Sequence, residues 1–243
     1  FDVLNDSLLW IGTQAGLLKF NAYSHQFTRY SINKDQAAGY TIRCVLHHSD
    51  NQVYIGTWSN GLFRFDPKTE QFTKIVIAPF SYTPTRYKEQ ILGLVGKSST
   101  HLWVTTDAGL MEYDLLENKV TPLKKNDLTK KIFYGVYQTD QKNRALFWKN
   151  SRFYLFDPLR QQNKNYSRDI GTNEVGGRQG FIVRRVIEEK TSGKLWIAAQ
   201  YSEGLYRLDL QTEKWEIFPP PKSYFNEREE VAVWDVLITK KGE

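Results

Sequence analysis

The feature that most constrains this chain is a short motif that returns at nearly even intervals. At residues 9–21 it reads LWIGTQAGLLKFN: an aromatic-aliphatic run, a Gly-Thr pair, a tight turn to Gly16 and a second apolar run. VYIGTWSNGLFRFD follows from Val53, LWVTTDAGLMEYD from Leu102 and LWIAAQYSEGLYRLD from Leu195, with a weaker copy, FWKNSRFYLFD, from Phe147. Two apolar runs joined by a glycine turn read as paired strands. Taking the aromatic as marker, Trp10, Tyr54, Trp103, Trp148 and Trp196 are 44, 49, 45 and 48 residues apart. A four-stranded unit with a period in the mid-forties is the spacing of a propeller blade.

Each unit can be read strand by strand. A first strand precedes the marker at residues 42–46, 91–95, 136–138 and 183–187. The marker strands fall near 9–13, 53–57, 102–106, 146–150 and 195–199. Most close on small residues (Gly12-Thr13, Gly56-Thr57, Thr105-Thr106, Ala198-Ala199), which let neighbouring sheets approach closely. A third strand runs from the turn glycine to Asn21, Asp66, Asp114 or Asp209, with Asp157 closing it in the weak copy. The fourth is short and alternates polar with aromatic residues, as a half-exposed edge strand does. The expectation is an all-β chain, a β-propeller of four-stranded antiparallel blades with five repeats visible. Residues 1–243 then form a single propeller domain or a fragment of one.

The ends bear on ring closure. The stretch from Val233 reads as a first strand and its turn, stopping where another marker strand should begin, while FDVLNDS enters late at the head. The tail could pair with the head and close five blades, or the five could be an arc of a larger ring, such as a seven-bladed one. The abrupt stop at Gly242-Glu243 favours a fragment of a longer protein.

Composition narrows the function classes. Aromatic residues make up 14% of the chain, which favours strands. No apolar run approaches the roughly 20 residues of a membrane-spanning helix. The formal charge of +6 is spread along the sequence in short pairs such as Arg184-Arg185, so it reads as solvated surface and not as a nucleic-acid footprint. The one cysteine, Cys44, sits among Ile42, Val45 and Leu46 and reads as a small buried hydrophobe.

No catalytic constellation is legible. The histidines are His25, His47, His48 and His101; none forms a His-x-x-x-His pair, and none lies in an inter-blade connection. A Gly-x-Ser-x-Gly nucleophile context is absent. The glycine-rich run at 171–180 lacks the Gly-Lys-Ser/Thr ending of a phosphate loop. The carboxylates closing the third strands look like a metal series, but each also fits a turn in which Asp bonds its own backbone. The sequence therefore implies no metal, no cofactor and no enzymatic activity for this segment.

Binding is the better expectation. Propellers bind where the connections between blades converge, and here those connections carry aromatic and cationic residues. The candidates are Tyr40, Arg43, Arg86, Tyr87, Tyr134, Arg178, Phe181 and Arg228, with Tyr82, Phe133, Tyr224 and Phe225 beside them. Aromatic faces stack on sugar rings, and arginines hold carboxylates or sulfates through two parallel hydrogen bonds. The bland alternative is that these aromatics pack the loops onto their own blades.

The motif residues also carry a family resemblance. LWIGTQAGLLKFN, YIGTWSNGLFRFDPKTEQF and LWIAAQYSEGLYRLDLQTEKWEIF resemble two-component regulator propeller repeats, over essentially the whole chain. The fourth unit has lost the Gly-Thr pair at Trp148-Lys149-Asn150. The resemblance implies the periplasmic sensor region of a hybrid two-component histidine kinase, of the kind by which gut bacteria detect polysaccharide breakdown products. It implies an oligosaccharide or similar polar ligand, a homodimer, and other propeller and signalling domains of the same chain as partners, with no nucleic acid in this segment. Two other readings stay open: a propeller enzyme such as a streptogramin-type lyase, and a protein-interaction platform.

Overall fold

The computed structural model describes residues 2–5, 7–32, 40–77, 89–107, 109–123, 135–139, 144–149, 152–157, 160, 162–166, 182–200, 202–221 and 232–238. These residues form strands and turns with no helix. The first blade comprises β1 (Asp2–Asn5), β2 (Leu8–Thr13), β3 (Gly16–Asn21) and β4 (Gln26–Tyr30). The second comprises β5 (Ile42–His47), β6 (Val53–Thr57), β7 (Leu62–Asp66) and β8 (Gln71–Ile75), and the third β9 (Ile91–Ser98), β10 (His101–Thr106), β11 (Gly109–Asp114) and β12 (Lys119–Pro122). The fourth holds β13 (Gly135–Gln138), β14 (Ala145–Lys149), β15 (Arg152–Asp157) and β16 (Gln162–Asn165). The fifth holds β17 (Ile182–Glu188), β18 (Leu195–Gln200), β19 (Leu205–Leu208) and β20 (Trp215–Phe218). Every blade is a four-stranded sheet in simple sequence order. The chain divides into two compact units, Phe1–Val136 with the first three blades and Tyr137–Glu243 with the last two, β13 lying across the boundary.

In the first unit the motif explains how one blade seats on the next. The first strands touch from blade to blade, β1 against β5 and β5 against β9, so they form the inner edge. The marker side chains Trp10, Tyr54 and Trp103 are each 1% exposed. Trp10 and Leu17 of the first blade share a core with Ile42, Val53, Ile55, Phe63 and Phe65 of the second. Trp10 meets Phe65 edge-on at 5.6 Å. Tyr54, Leu62 and Ile75 in turn join Ile91, Leu102, Val104, Met111, Tyr113 and Val120 of the third. The small residues have a specific tenant. A Cβ on Gly56 would lie 2.5 Å from Cγ2 and 2.8 Å from Cβ of Ile91, and one on Gly12 would lie 3.0 Å from Cβ of Ile42. Each glycine is a notch for a β-branched side chain from the first strand of the next blade.

The threonine of the motif fastens the turn that follows it. Thr13 Oγ1 donates to Gly16 O at 2.8 Å and accepts from Ala15 N at 3.0 Å. Thr57 Oγ1 repeats this with Gly61 O and Asn60 N at 2.8 and 2.9 Å, and Thr106 Oγ1 donates to Gly109 O at 2.9 Å. The fifth blade has Ala198-Ala199 instead, and Ser202 does the work from within the turn, donating to Ala199 O and Gly204 O at 2.9 and 3.1 Å. The glycine is required where the chain re-enters the sheet. Gly16 has φ 118°, and a Cβ there would lie 2.6 Å from Tyr30 O.

At the opposite end of each blade the aspartates act as the turn reading expects. Asn21 Oδ1 accepts from Tyr23 N and Ser24 N, Asp66 Oδ1 from Lys68 N, and Asp114 Oδ1 from Leu116 N and Glu117 N. Asp157 Oδ1 accepts from Arg160 N, and Asp209 Oδ1 from Gln211 N and Thr212 N. These amides hold Asp66, Asp114 and Asp209 below the ordinary carboxylate range.

The ends differ from the expectation in one respect. The head supplies β1, so the first blade has its own innermost strand, and residues 232–238 take no place in a sheet. They lie against the fifth blade, where Val233 N–H donates to Ala199 O at 2.9 Å.

Candidate functional site

Strand register divides every blade into two ends. In the second blade Ile42 pairs with Thr57 where the inter-blade connection enters, and His47 pairs with Val53 at the far, turn end. All four histidines lie at turn ends. His101 pairs with Ser98 and Asp114, and His25 stands in the turn closed by Asn21 and Gln26. His48 is 6% exposed and its Nε2 sits 2.8 Å from Ser98 O, so it is a strut between the second and third blades. His47 donates its backbone N–H to Asp2 Oδ2 at 2.6 Å, and burial lowers its imidazole pKa. His101 Nε2 lies 3.5 Å from Asp114 Oδ2 and 3.8 Å from Glu112 Oε1 at the third blade's turn end. None of these pairs is near the end where the connections enter.

Two of the candidate binding residues, Tyr40 and Arg43, stand at that end. Tyr40 is half-buried, with its ring centroid 5.7 Å from that of Phe63 in its own blade. Arg43 is exposed, its guanidinium 4.7 Å from the Trp58 ring centroid. Trp58 belongs to the β6–β7 turn, is 41% exposed, and donates its backbone N–H to Thr41 O at 2.9 Å. Glu89 closes the group from the third blade's side: its carbonyl accepts from Gly61 N–H at 3.0 Å and its carboxylate meets Lys74 Nζ at 2.7 Å.

The second unit has a like arrangement of its own. Arg184 lies 4.6 Å from the ring centroid of Trp234, which is 62% exposed, and hydrogen-bonds Gln200 Oε1. Arg185 pairs with Asp235 at 3.5 Å. Neither Trp58 nor Trp234 was singled out as a binding residue by sequence reasoning. The available signal was a tryptophan outside the repeat's marker position. The other candidates, Arg86, Tyr87, Tyr134, Arg178, Phe181 and Arg228, lie outside the described residues, as do Tyr82, Phe133, Tyr224, Phe225 and the run at 171–180.

A cleft of about 600 Å³ opens between the fourth and fifth blades, lined by Arg144, Asp157, Arg160, Lys164, Tyr166 and Gln211 among others. Arg144 leads into β14 and Asp157 ends β15, so the cleft belongs to the turn end. Tyr166 is 6% exposed and donates to Leu210 O at 3.1 Å, and Lys164 pairs with Glu213 at 2.5 Å. Among the described residues no group of His, Cys, Asp and Glu could hold a metal ion. Cys44 packs its sulfur against Gly56, and burial pushes its thiol up to about 12.

No family model matches the sequence, and no curated protein matches it. Solved structures do resemble it. The extracellular domain of the hybrid two-component system BT3049 from B. thetaiotaomicron superposes with a TM-score of 0.64 at 20% identity, over 88% of this chain and 27% of that one. Virginiamycin B lyase from Staphylococcus aureus gives 0.65 at 13% identity, over 90% of this chain and 69% of the lyase. An auxiliary nutrient binding protein from Bacteroides thetaiotaomicron gives 0.61 at 11%, over 87% and 54%. The chain thus spans about a quarter of the length of the sensor domain it resembles. What these identities establish is the shared fold: the five sheets are blades of a β-propeller.

Proposed function

We propose that the chain is a ligand-sensing propeller that works outside the cytoplasm, as part of the periplasmic region of a two-component sensor histidine kinase. Its ligand is a carbohydrate, bound where the inter-blade connections enter, and the signal is a change in packing that binding favours in one of two states. The observation that carries this reading is the division of labour between the two ends of the blades. Exposed arginine–tryptophan pairs, Arg43 with Trp58 and Arg184 with Trp234, stand at the connection end. Likeness to a two-component extracellular domain supports the sensory role.

The competing reading, a lyase, draws on a likeness of the same strength. It needs a histidine with an acid partner among the connections. The chain's four histidines all stand at turn ends, and His48 is consumed as a strut. The test is a melting-temperature screen against oligosaccharides. A ligand at one hundred times its Kd adds about 2.7 kcal/mol to folding stability, a readily measured shift. A panel in which no saccharide moves the transition would refute the carbohydrate assignment.

A further inference from the structure

Three inner strands carry a β-bulge at the same place. In the second blade the pairing passes from Ile42 with Thr57 directly to Cys44 with Gly56. In the third it passes from Ile91 with Thr106 to Gly93 with Thr105, and in the fifth from Val183 with Ala199 to Arg185 with Ala198. One residue is left over each time, opposite the small-residue pair that ends the marker strand: Arg43, Leu92 and Arg184. A bulge bends its strand and re-aims the extra side chain, and bulges gather next to functional sites.

The bulge alone does not call for a cation. Leu92 fills it in the third blade and is 7% exposed. In the other two blades the side chain is an arginine, exposed to solvent. Each arginine rests on a tryptophan at nearly the same distance, 4.7 and 4.6 Å. The rings come from different places, Trp58 from the β6–β7 turn and Trp234 from the segment after the fifth blade. Copying of the repeat therefore does not account for the pairing. A guanidinium stacked on an indole is held in one orientation, and its N–H donors lie in its plane, edge-on to an incoming anion. That is the geometry for two-point recognition of a carboxylate or sulfate.

We propose that Arg43 and Arg184 are anion-recognition residues, each reading a carboxylate or sulfate on an acidic saccharide, with the exposed parts of Trp58 and Trp234 against the sugar. The assignment rests on the reading of the chain as a saccharide sensor and narrows its ligand to an acidic class.

Calorimetric titration of the whole 243-residue chain tests it with three probes: a galacturonate tetrasaccharide, a sulfated galactose tetrasaccharide and the neutral galactose tetrasaccharide. At least one acidic probe should bind roughly tenfold or more tighter than the neutral one, with Arg43→Gln weakening the site in the first unit and Arg184→Gln, independently, the site in the second, each about ten- to hundredfold. Arg43→Lys should restore binding only in part, since a point charge replaces a planar fork. Unliganded melting temperatures report folding of each variant; should a glutamine variant fail to fold, the lysine variant carries the comparison. Equal binding of acidic and neutral probes, or acidic binding indifferent to both glutamine substitutions, overturns the arginine assignment and leaves saccharide sensing standing. Absence of binding by all three overturns the assignment, and extending that result across the wider oligosaccharide panel overturns the sensing reading as well.

Discussion

Cγ2 of Ile91 lies where a methyl group on Gly56 would have to be, 2.5 Å from the position its Cβ would take. Ile91 opens the third blade and Gly56 is the last residue but one of the second blade's marker strand, so the missing side chain lets the two sheets approach here. Gly56→Ala should therefore cost about 1–3 kcal/mol, the usual range for overpacking. Ile91 cannot rotate away, because its Cβ is also within 2.8 Å. Urea denaturation provides the check. A double variant with Ile91→Ala should lose less than the sum of the two single losses, because the two side chains share one space.

Thr57→Val should cost about 1–2 kcal/mol, since it keeps the shape of a fully buried side chain and removes both hydrogen bonds that fasten the turn to Gly61 and Asn60. Thr57→Ser keeps the hydroxyl and should cost less. If valine matched the wild-type denaturant midpoint while serine lowered it, the threonine would be there for its methyl group.

The turn aspartates predict a pH dependence with a definite sign. Amides of the turn, foremost those of Lys68, Glu117 and Thr212, lower the folded-state pKa of Asp66, Asp114 and Asp209. A carboxylate depressed on folding contributes stability above its unfolded pKa of about 3.9, and that contribution is lost as pH falls through the folded value. The first blade shows how to remove the titration without removing the turn, because Asn21 accepts the same amide bonds. Replacing all three aspartates by asparagine should leave the neutral-pH urea midpoint nearly unchanged and flatten its decline below about pH 4. An unaltered decline would place the acid sensitivity elsewhere.

Cys44 should be inert in the folded protein. With its thiol at about 12, the thiolate fraction near pH 8 is smaller than that of an ordinary cysteine by on the order of a thousandfold. Labelling by a disulfide reagent should be far slower than that of an ordinary cysteine, and become immediate in denaturant. Fast labelling without denaturant would contradict the packing of its sulfur against Gly56.

How much of this was legible in the sequence depended on whether a residue served the repeat. Trp10, Gly12 and Thr13 have counterparts in Tyr54, Gly56 and Thr57 because each of these blades buries an aromatic ring, admits a β-branched neighbour and fastens a turn, so their spacing announced the strands. Ser202 replacing the missing threonine of the fifth blade was less legible, since the hydroxyl moved along the chain while its acceptor, the carbonyl of the turn glycine, stayed. The binding end was legible only in kind. Arg43 stood out as a cation in a connection, but its seat on Trp58 depends on a register slip that leaves no mark in composition or period. Tyr40 looked equally promising and is half-buried beside Phe63 of its own blade. Trp234 fell inside what read as an ordinary strand, and its segment lies outside the sheets.

The glycine notch and its β-branched tenant have a consequence for how such a chain lengthens. In the second blade the knob, Ile42, and the hollow, Gly56, face different neighbours, Gly12 before it and Ile91 after it. Contacts of this head-to-tail kind are heterologous: one copy's leading face fits the next copy's trailing face, and the contact itself holds no instruction about when to stop. Duplicating a blade therefore adds a layer without inventing a new interface, and the strands can hold their shape while the connections between them diverge.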